Sequence, residues 1–490
     1  MLLSIELKQS IIKSLVGKYA LYIFQIVSLT ILARVFAPED FGIIAAAQVF
    51  IMFFQVIGTS GLAPAVVYES EVPANMRDGV FTFTWIVGAI LAVIFAIFAP
   101  QIYQWFEFTS GLYVFYILAV CVFFSALTMM PLAALLKDSK FIAISQAEIF
   151  AEACAFGLCL ASYYLVDFRQ IALSFNTFDI VNNGLFALTI RFLCVPIFRF
   201  LAYWFMSSST TIGRPAFGRD IKQVKKLYAY AKYQIMFNVL NFFSRNLDNL
   251  LLAKYFGASV LGVYEKTYQV MRYPLQLFTF AITPALQPVL TKYRDDPDLV
   301  YSEFFKIANR LAVVGVFTGS VLYWCAQDIV LILFGDQWLE TVPLLRILAL
   351  SIPVQMVLSS TGGVFQAFGK VKAMLLCGVF SSVCTVAAIV YGIHSSSLMI
   401  LCYSLVGVFH INYIQCMFTL NKSIFPDQSF GNAFITTCLI GLIFINSIFS
   451  LPTAEFAQSI LDAFIHLTVI SAGLLPIGVG LLFGLHKRKM

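Results

Sequence analysis

The sequence predicts an all-α, polytopic membrane protein, and its composition and apolar runs carry that expectation. Hydrophobic residues make up 60% of the chain and charged residues 11%, whereas soluble domains carry about 25% charged residues. Mean hydropathy is +0.89. Apolar runs reach the roughly 20 residues that cross a bilayer core as helix. A transmembrane β-barrel would alternate over segments of about 10 residues, and runs such as GAILAVIFAIFA exclude it.

Hydropathy and breaker residues place fourteen transmembrane helices. The first six run over about 15–36, 41–67, 80–99, 112–136, 141–165 and 177–205. Six more run over about 229–256, 261–290, 305–326, 342–368, 372–393 and 398–420, and a final pair over 432–452 and 458–484. This gives an N-lobe (1–206), a basic linker (207–228), a C-lobe (229–421), and a C-terminal helix pair with a basic tail (422–490). Lys8, Lys13 and Lys18 precede the first apolar run, as in a signal peptide. That run continues without a convincing small-residue cleavage site, so it reads as the first span. Residues 2–16 are expected to form a short interfacial helix ahead of it. Pro64, Pro131, Pro196, Pro284, Pro288 and Pro353 fall in or near spans, where each removes a backbone hydrogen bond and kinks its helix.

Charge sets the orientation. With the N-terminus in the cytoplasm, the cytoplasmic connections carry Lys137, Lys140, Arg214, Arg219, Lys222, Lys225, Lys226, Lys292, Arg294, Lys370, Lys372 and Lys422, and the tail adds Lys487, Arg488 and Lys489. The opposite connections carry Glu39, Asp40, Glu107, Asp167, Asp328, Asp336, Glu340 and Glu455, with Arg169 the basic exception. This is the positive-inside pattern, with both termini cytoplasmic. The net charge of +6 therefore reports orientation and suggests no nucleic-acid partner. The cysteines lie in apolar runs without metal spacing and read as buried, inert thiols. His394, His410, His466 and His486 are scattered, and neither a Walker loop nor a long soluble domain is present. No cofactor or metal is expected.

The segment LARVFAPEDFG (Leu32–Gly42) returns in worn form as LAKYFGASVLG (Leu252–Gly262), a shift of 220 residues that keeps Leu, Ala, Phe, Gly and a basic third residue, Arg34 or Lys254. The same shift maps Pro64 onto Pro284, and Gln25 and Ser28 onto Arg245 and Asp248. Each copy reads as a tight hairpin between spans. Pro38 suits a first helical position, and Glu39 and Asp40 favour the positive end of the helix that follows. Six helices per repeat is an even number, so both halves enter the membrane alike, the parallel kind of duplication found in transporters. Duplication for assembly alone is the plainer alternative.

Ionisable groups inside spans cost roughly 2.5–3.5 kcal/mol each on insertion scales, and they face cavities or partners. Arg245 and Asp248 share a helix face, where they either neutralise each other or meet substrate. Glu148 and Glu152, four residues apart in ISQAEIFAEACAFG, repel unless one is protonated or a cation intervenes. That pattern leaves proton or sodium coupling open, against a Glu148 that is simply hydrated near a helix end. Arg191 sits mid-span with no sequence-local acid. Lys18, Lys232, Arg272 and Arg310 lie nearer span ends, where they can snorkel. The intramembrane charge leans basic, which suits an anionic substrate.

In LARVFAPEDFG, SRNLDNLLLAKYFGASVLGVYEKTYQV, PLQLFTFAITPALQPVLTKYRDDP and LFGDQWLETVPLLRILAL, the chain resembles the lipid-linked oligosaccharide flippases of the multidrug/oligosaccharidyl-lipid/polysaccharide exporter superfamily. It is most similar to the colanic-acid-exporter branch, over most of residues 15–380. It departs at Ala37, where the family commonly has Ser, and at YYLVDFRQIALSF, where the family tends to Gly-Trp. The resemblance implies a two-lobed transporter, not an enzyme, in the bacterial inner membrane. Such a protein moves undecaprenyl-pyrophosphate-linked sugar units between leaflets by alternating access, among membrane lipids and alongside a polysaccharide polymerase and chain-length regulator. It places substrate contacts first on Arg245 and Asp248, then on Arg34 and Lys254; burial adds Arg191 and Glu148. A drug exporter of the same superfamily and an integral-membrane polymerase are the competing expectations.

Overall fold

The computed structural model describes residues 2–59, 62–68, 71–165, 183–220, 224–279, 286, 290, 293–426, 462 and 468. The expected C-terminal pair, together with Pro284 and Pro288, lies outside the described residues. Among those described, the elements are helices and no strand occurs. Nine of the helices are long and apolar enough to cross a membrane, or ten if one bent pair counts as a span.

The chain packs as two compact units, Met1–Gly262 and Val263–Met490. The first holds α1 (Leu2–Val35), α2 (Pro38–Thr59), α3 (Leu62–Tyr68), α4 (Ala74–Phe106), α5 (Leu112–Leu127), α6 (Met129–Lys137), α7 (Phe141–Leu165) and α8 (Asn183–Met206). Helix α9 (Val224–Thr279) begins in this unit and is broken at Gly257 (φ 84°, ψ 177°), a backbone region essentially closed to residues with a side chain. The boundary between units falls just beyond that break. The second unit continues with α10 (Pro297–Trp324), α11 (Ala326–Leu333), α12 (Thr341–Ala349), α13 (Ile352–Ala367), α14 (Val371–His394) and α15 (Leu398–Ile424).

Local chemistry explains the interruptions. Residues 2–16 continue α1 without a break instead of forming a separate helix. The fourth span of each half breaks at a proline. Helix α5 ends at Leu127, four residues before Pro131, and α12 ends at Ala349, four residues before Pro353. A proline ring clashes with the carbonyl four residues back, so each helix stops there; α12 and α13 meet at 55°. Lipid-facing helices have apolar outer faces, with Ile97 61% and Val383 64% exposed.

Pro38 opens α2 as expected, and the Asp40 carboxylate accepts the Ala37 N–H at 3.3 Å. That is the half of a capping box which needs no hydroxyl at the N-cap. The two hairpins then meet. A Cβ on Gly42 would stand 1.7 Å from the Ala258 carbonyl oxygen, and one on Gly262 would stand 2.0 Å from the Pro38 carbonyl oxygen. Under the 220-residue shift Gly42 corresponds to Gly262, and Pro38 to Ala258. Each copy touches the counterpart of what touches it, as in an isologous contact about a local two-fold.

Candidate functional site

Three helices of the first unit build a polar interior. Helix α7 packs on α1 and, most extensively, on α8. The stripe Ala147, Ala151, Ala155 and Cys159 repeats every four residues, and all four are fully buried. Small residues at that spacing let helix backbones approach closely. Gly17 of α1 closes onto Ser145 in the same way, since a Cβ there would stand 2.4 Å from the serine hydroxyl oxygen.

This packing delivers charges to one another. Arg191 of α8 binds Glu152 of α7, Nη2 to Oε2, at 3.1 Å, with side chains 14% and 9% exposed. Gln25 of α1 approaches the other carboxylate oxygen, Nε2 to Oε1, at 3.5 Å. The Arg191 Nε–H is buried and has no hydrogen-bond acceptor among the described residues. One turn along α7, the buried Tyr203 hydroxyl donates to Glu148 Oε1 at 3.1 Å. Lys18 and Tyr22 of α1 interact electrostatically with Glu148, and Arg199 does so with Tyr203. The result is a ladder of three cations and two carboxylates across α1, α7 and α8. Of the two carboxylates expected to repel each other, Glu152 is paired with the Arg191 guanidinium and Glu148 accepts from the Tyr203 hydroxyl.

The other sequence-derived candidates lie elsewhere. Lys254 Nζ binds Glu107 Oε1 at 2.5 Å and lies 5.9 Å from the Trp105 ring centroid. Glu107 is the left-handed C-cap of α4 (φ 59°); the Lys254 ammonium bonded to it holds its carboxyl below the usual range. Arg34 is exposed in the last turn of α1, where a cation suits the helix dipole. Asp248 is half-buried and accepts the Asn249 N–H at 2.9 Å. Arg245 lies in α9, and its side chain is outside the described residues.

Sequence reasoning passed over Arg199, Tyr203 and Lys266. Lys266 is 7% exposed in the second unit and donates to Gln269 Oε1 at 3.2 Å, while Gln269 donates to the Tyr273 hydroxyl at 3.1 Å. The available signal for Lys266 was Gln269 three residues on, at the spacing that puts both on one helix face. Among the described residues, no group of His, Cys, Asp and Glu could hold a metal ion.

The profile of a family described as "Polysaccharide biosynthesis protein" matches residues 31–343. The chain is 21% identical over 348 residues to the teichuronic acid biosynthesis protein TuaB of Bacillus subtilis (strain 168), covering 71% of this chain and 68% of that protein. It is 22% identical over 379 residues to the lipopolysaccharide biosynthesis protein WzxC of Escherichia coli (strain K12), covering 75% and 71%. Its fold is similar to that of the lipid II flippase MurJ in an inward closed conformation, with TM-score 0.71, 12% identity and coverage of 94% and 97%. It is also similar to an inward-facing multidrug resistance MATE family transporter, with TM-score 0.60, 13% identity and coverage of 88% and 96%.

Proposed function

This chain belongs to the polysaccharide biosynthesis protein family, and from that premise we propose that it flips undecaprenyl-pyrophosphate-linked oligosaccharide units from the cytoplasmic to the periplasmic leaflet. It does so by alternating access in the bacterial inner membrane, with both termini cytoplasmic, and it changes no covalent bond. The flipped unit then passes to a polysaccharide polymerase and its chain-length regulator. The multi-pass helical architecture and the family membership support this reading. So do the names of the relatives, which belong to lipopolysaccharide and teichuronic acid biosynthesis.

The charge ladder carries the proposal. A bundle built for stability alone gains little from burying ion pairs, since desolvation offsets their attraction. A pair that opens on cue has a use. Protonation of Glu152 would remove the charge that holds Arg191 and free a guanidinium for a pyrophosphate oxygen; sodium beside Glu148 or Glu152 is the alternative coupling ion. Arg34 and Lys254 would meet the substrate at the hairpin end. Arg245 lies nine residues from Lys254, about 14 Å along the helix at ~1.5 Å per residue, with Asp248 between them.

Deletion of the gene in its host, followed by leaflet assignment of the accumulated lipid-linked units, tests this. Accumulation on the cytoplasmic face is expected. Intact units accumulating on the periplasmic face would indicate a polymerase instead. The MATE-like fold supports a second reading, drug export, which predicts raised drug resistance on overexpression. The basic lean of the ladder favours the flippase.

A further inference from the structure

Residues 207–220 leave α8 as a strap fastened along its length to the first unit. The Asp138 carboxylate accepts the Thr211 N–H at 2.7 Å and its hydroxyl at 2.6 Å. Arg77 Nη1 donates to the Ile212 carbonyl at 2.8 Å. Asp78 accepts the Ala216 N–H at 2.9 Å, and the Thr82 hydroxyl accepts the Gly218 N–H at 2.8 Å. Asp78 and Asp138 are thus engaged by the strap backbone.

Two cations of the strap itself are left at the surface. Arg214 and Arg219 are exposed, and neither forms an ion pair with a described residue. The Arg214 guanidinium lies 4.3 Å from the Trp204 ring centroid and 5.3 Å from that of Phe205. Trp204 is itself pinned, its Nε1–H donating to the Pro215 carbonyl at 3.1 Å. Apolar surface runs up to this cation: Phe205 is 57% exposed and Phe217 68%, with Phe217 edge-on to the partly exposed Trp85 at 6.1 Å. Aromatics at the end of a lipid-facing surface mark the headgroup level. A guanidinium stacked on a ring keeps its N–H edge free for a phosphate.

We propose that this shelf binds an anionic phospholipid of the surrounding bilayer, of the phosphatidylglycerol class. Its phosphate sits on Arg214, its acyl chains lie along Phe205 and Phe217, and Arg219 adds to the local positive field. Charge complementarity selects the occupant: Arg214 and Arg219 are exposed without an ion pair to a described residue, while Asp78 and Asp138 accept N–H groups of the strap and Asp220 accepts from Asn75. Placing this shelf in the cytoplasmic leaflet rests on the orientation proposed above; the lipid site itself does not.

The full chain in nanodiscs of phosphatidylcholine, doped with brominated phosphatidylglycerol or brominated phosphatidylcholine, provides the test through tryptophan quenching. The wild-type protein is expected to be quenched more by the anionic lipid. R214Q should lower that preference about fivefold, as expected for one interfacial cation, and R219Q should lower it less. Equal quenching by both lipids in the wild type would overturn the proposal, as would an unchanged preference in R214Q. Circular dichroism checks that each variant folds; should R214Q fail to fold, an unchanged preference in R219Q decides against the proposal. Inorganic phosphate at constant ionic strength should leave the preference intact, and its abolition would point to a free-phosphate site instead. The assay does not read flipping, so a lipid preference without transport would count against the flippase reading alone.

Discussion

Two ion pairs in the first unit contrast in ways that bear on function. Arg191–Glu152 is enclosed by three helices at 3.1 Å, with side chains 14% and 9% exposed. Lys254–Glu107 is shorter, at 2.5 Å, yet Glu107 is 76% exposed. Length is the wrong guide to importance. Water screens the rim pair, so its contribution is small. The enclosed pair cannot lose one partner without stranding the other.

The largest effect expected is from Arg191→Met, which leaves the Glu152 carboxylate buried and unpaired. Such a change costs about 3–5 kcal/mol, read as a fall in thermal stability in detergent. Adding Glu152→Gln should recover most of that loss, because replacing both partners of a buried pair is often near neutral. A double variant as unstable as the single would show that the pair is not the unit that matters. Next comes Tyr203→Phe, which removes a hydrogen bond to the Glu148 carboxylate and should cost about 1.5–3 kcal/mol in the same assay.

The smallest effect is expected at the rim. Lys254→Gln should move the melting temperature by at most about 2 °C, and by less in high salt. A carboxyl depressed in the folded state contributes stability above its unfolded value, near 4.3, and loses it as pH falls through the folded value. The difference between wild type and Lys254→Gln should therefore be present at pH 7 and close below about pH 4. A difference that persisted in acid would assign Lys254 another partner.

The hairpins were the most legible feature of the sequence. One shift aligned two glycines and two turns, and the structure packs those glycines against the opposite copy's counterpart residues. The turn chemistry differs between copies: Pro38 sets one, and Gly257 with positive φ permits the other. What the repeats share is the contact, not the way of turning. Gly42→Leu and Gly262→Leu should accordingly destabilise alike, by about 1–3 kcal/mol or more for overpacking, and a large inequality would contradict the reciprocal contact.

The ladder was only half legible. Periodicity shows which residues share a helix face, so Glu148 and Glu152 stood out. The partner of Arg191 comes from another helix 39 residues away in sequence, and no single-helix rule reveals that. Tyr203 was hidden for the opposite reason, since an aromatic in an apolar run reads as packing until a carboxylate is found against its hydroxyl. The broken fourth spans were legible at Pro131 and Pro353. The unbroken start of α1 was not, because nothing in residues 2–16 distinguishes an interfacial helix from the continuation of a span.

Translocation itself is the most direct test of the claim that the α1–α7–α8 ladder serves transport. Proteoliposomes would carry a fluorescent polyprenyl-pyrophosphate oligosaccharide, and a membrane-impermeant reductant would report the fraction reaching the opposite leaflet. The account predicts protein-dependent translocation in the wild type and a loss of at least about tenfold, roughly 1.4 kcal/mol on the barrier, in the folded Glu152→Gln/Arg191→Met double variant. Translocation at the wild-type rate in that variant would contradict it.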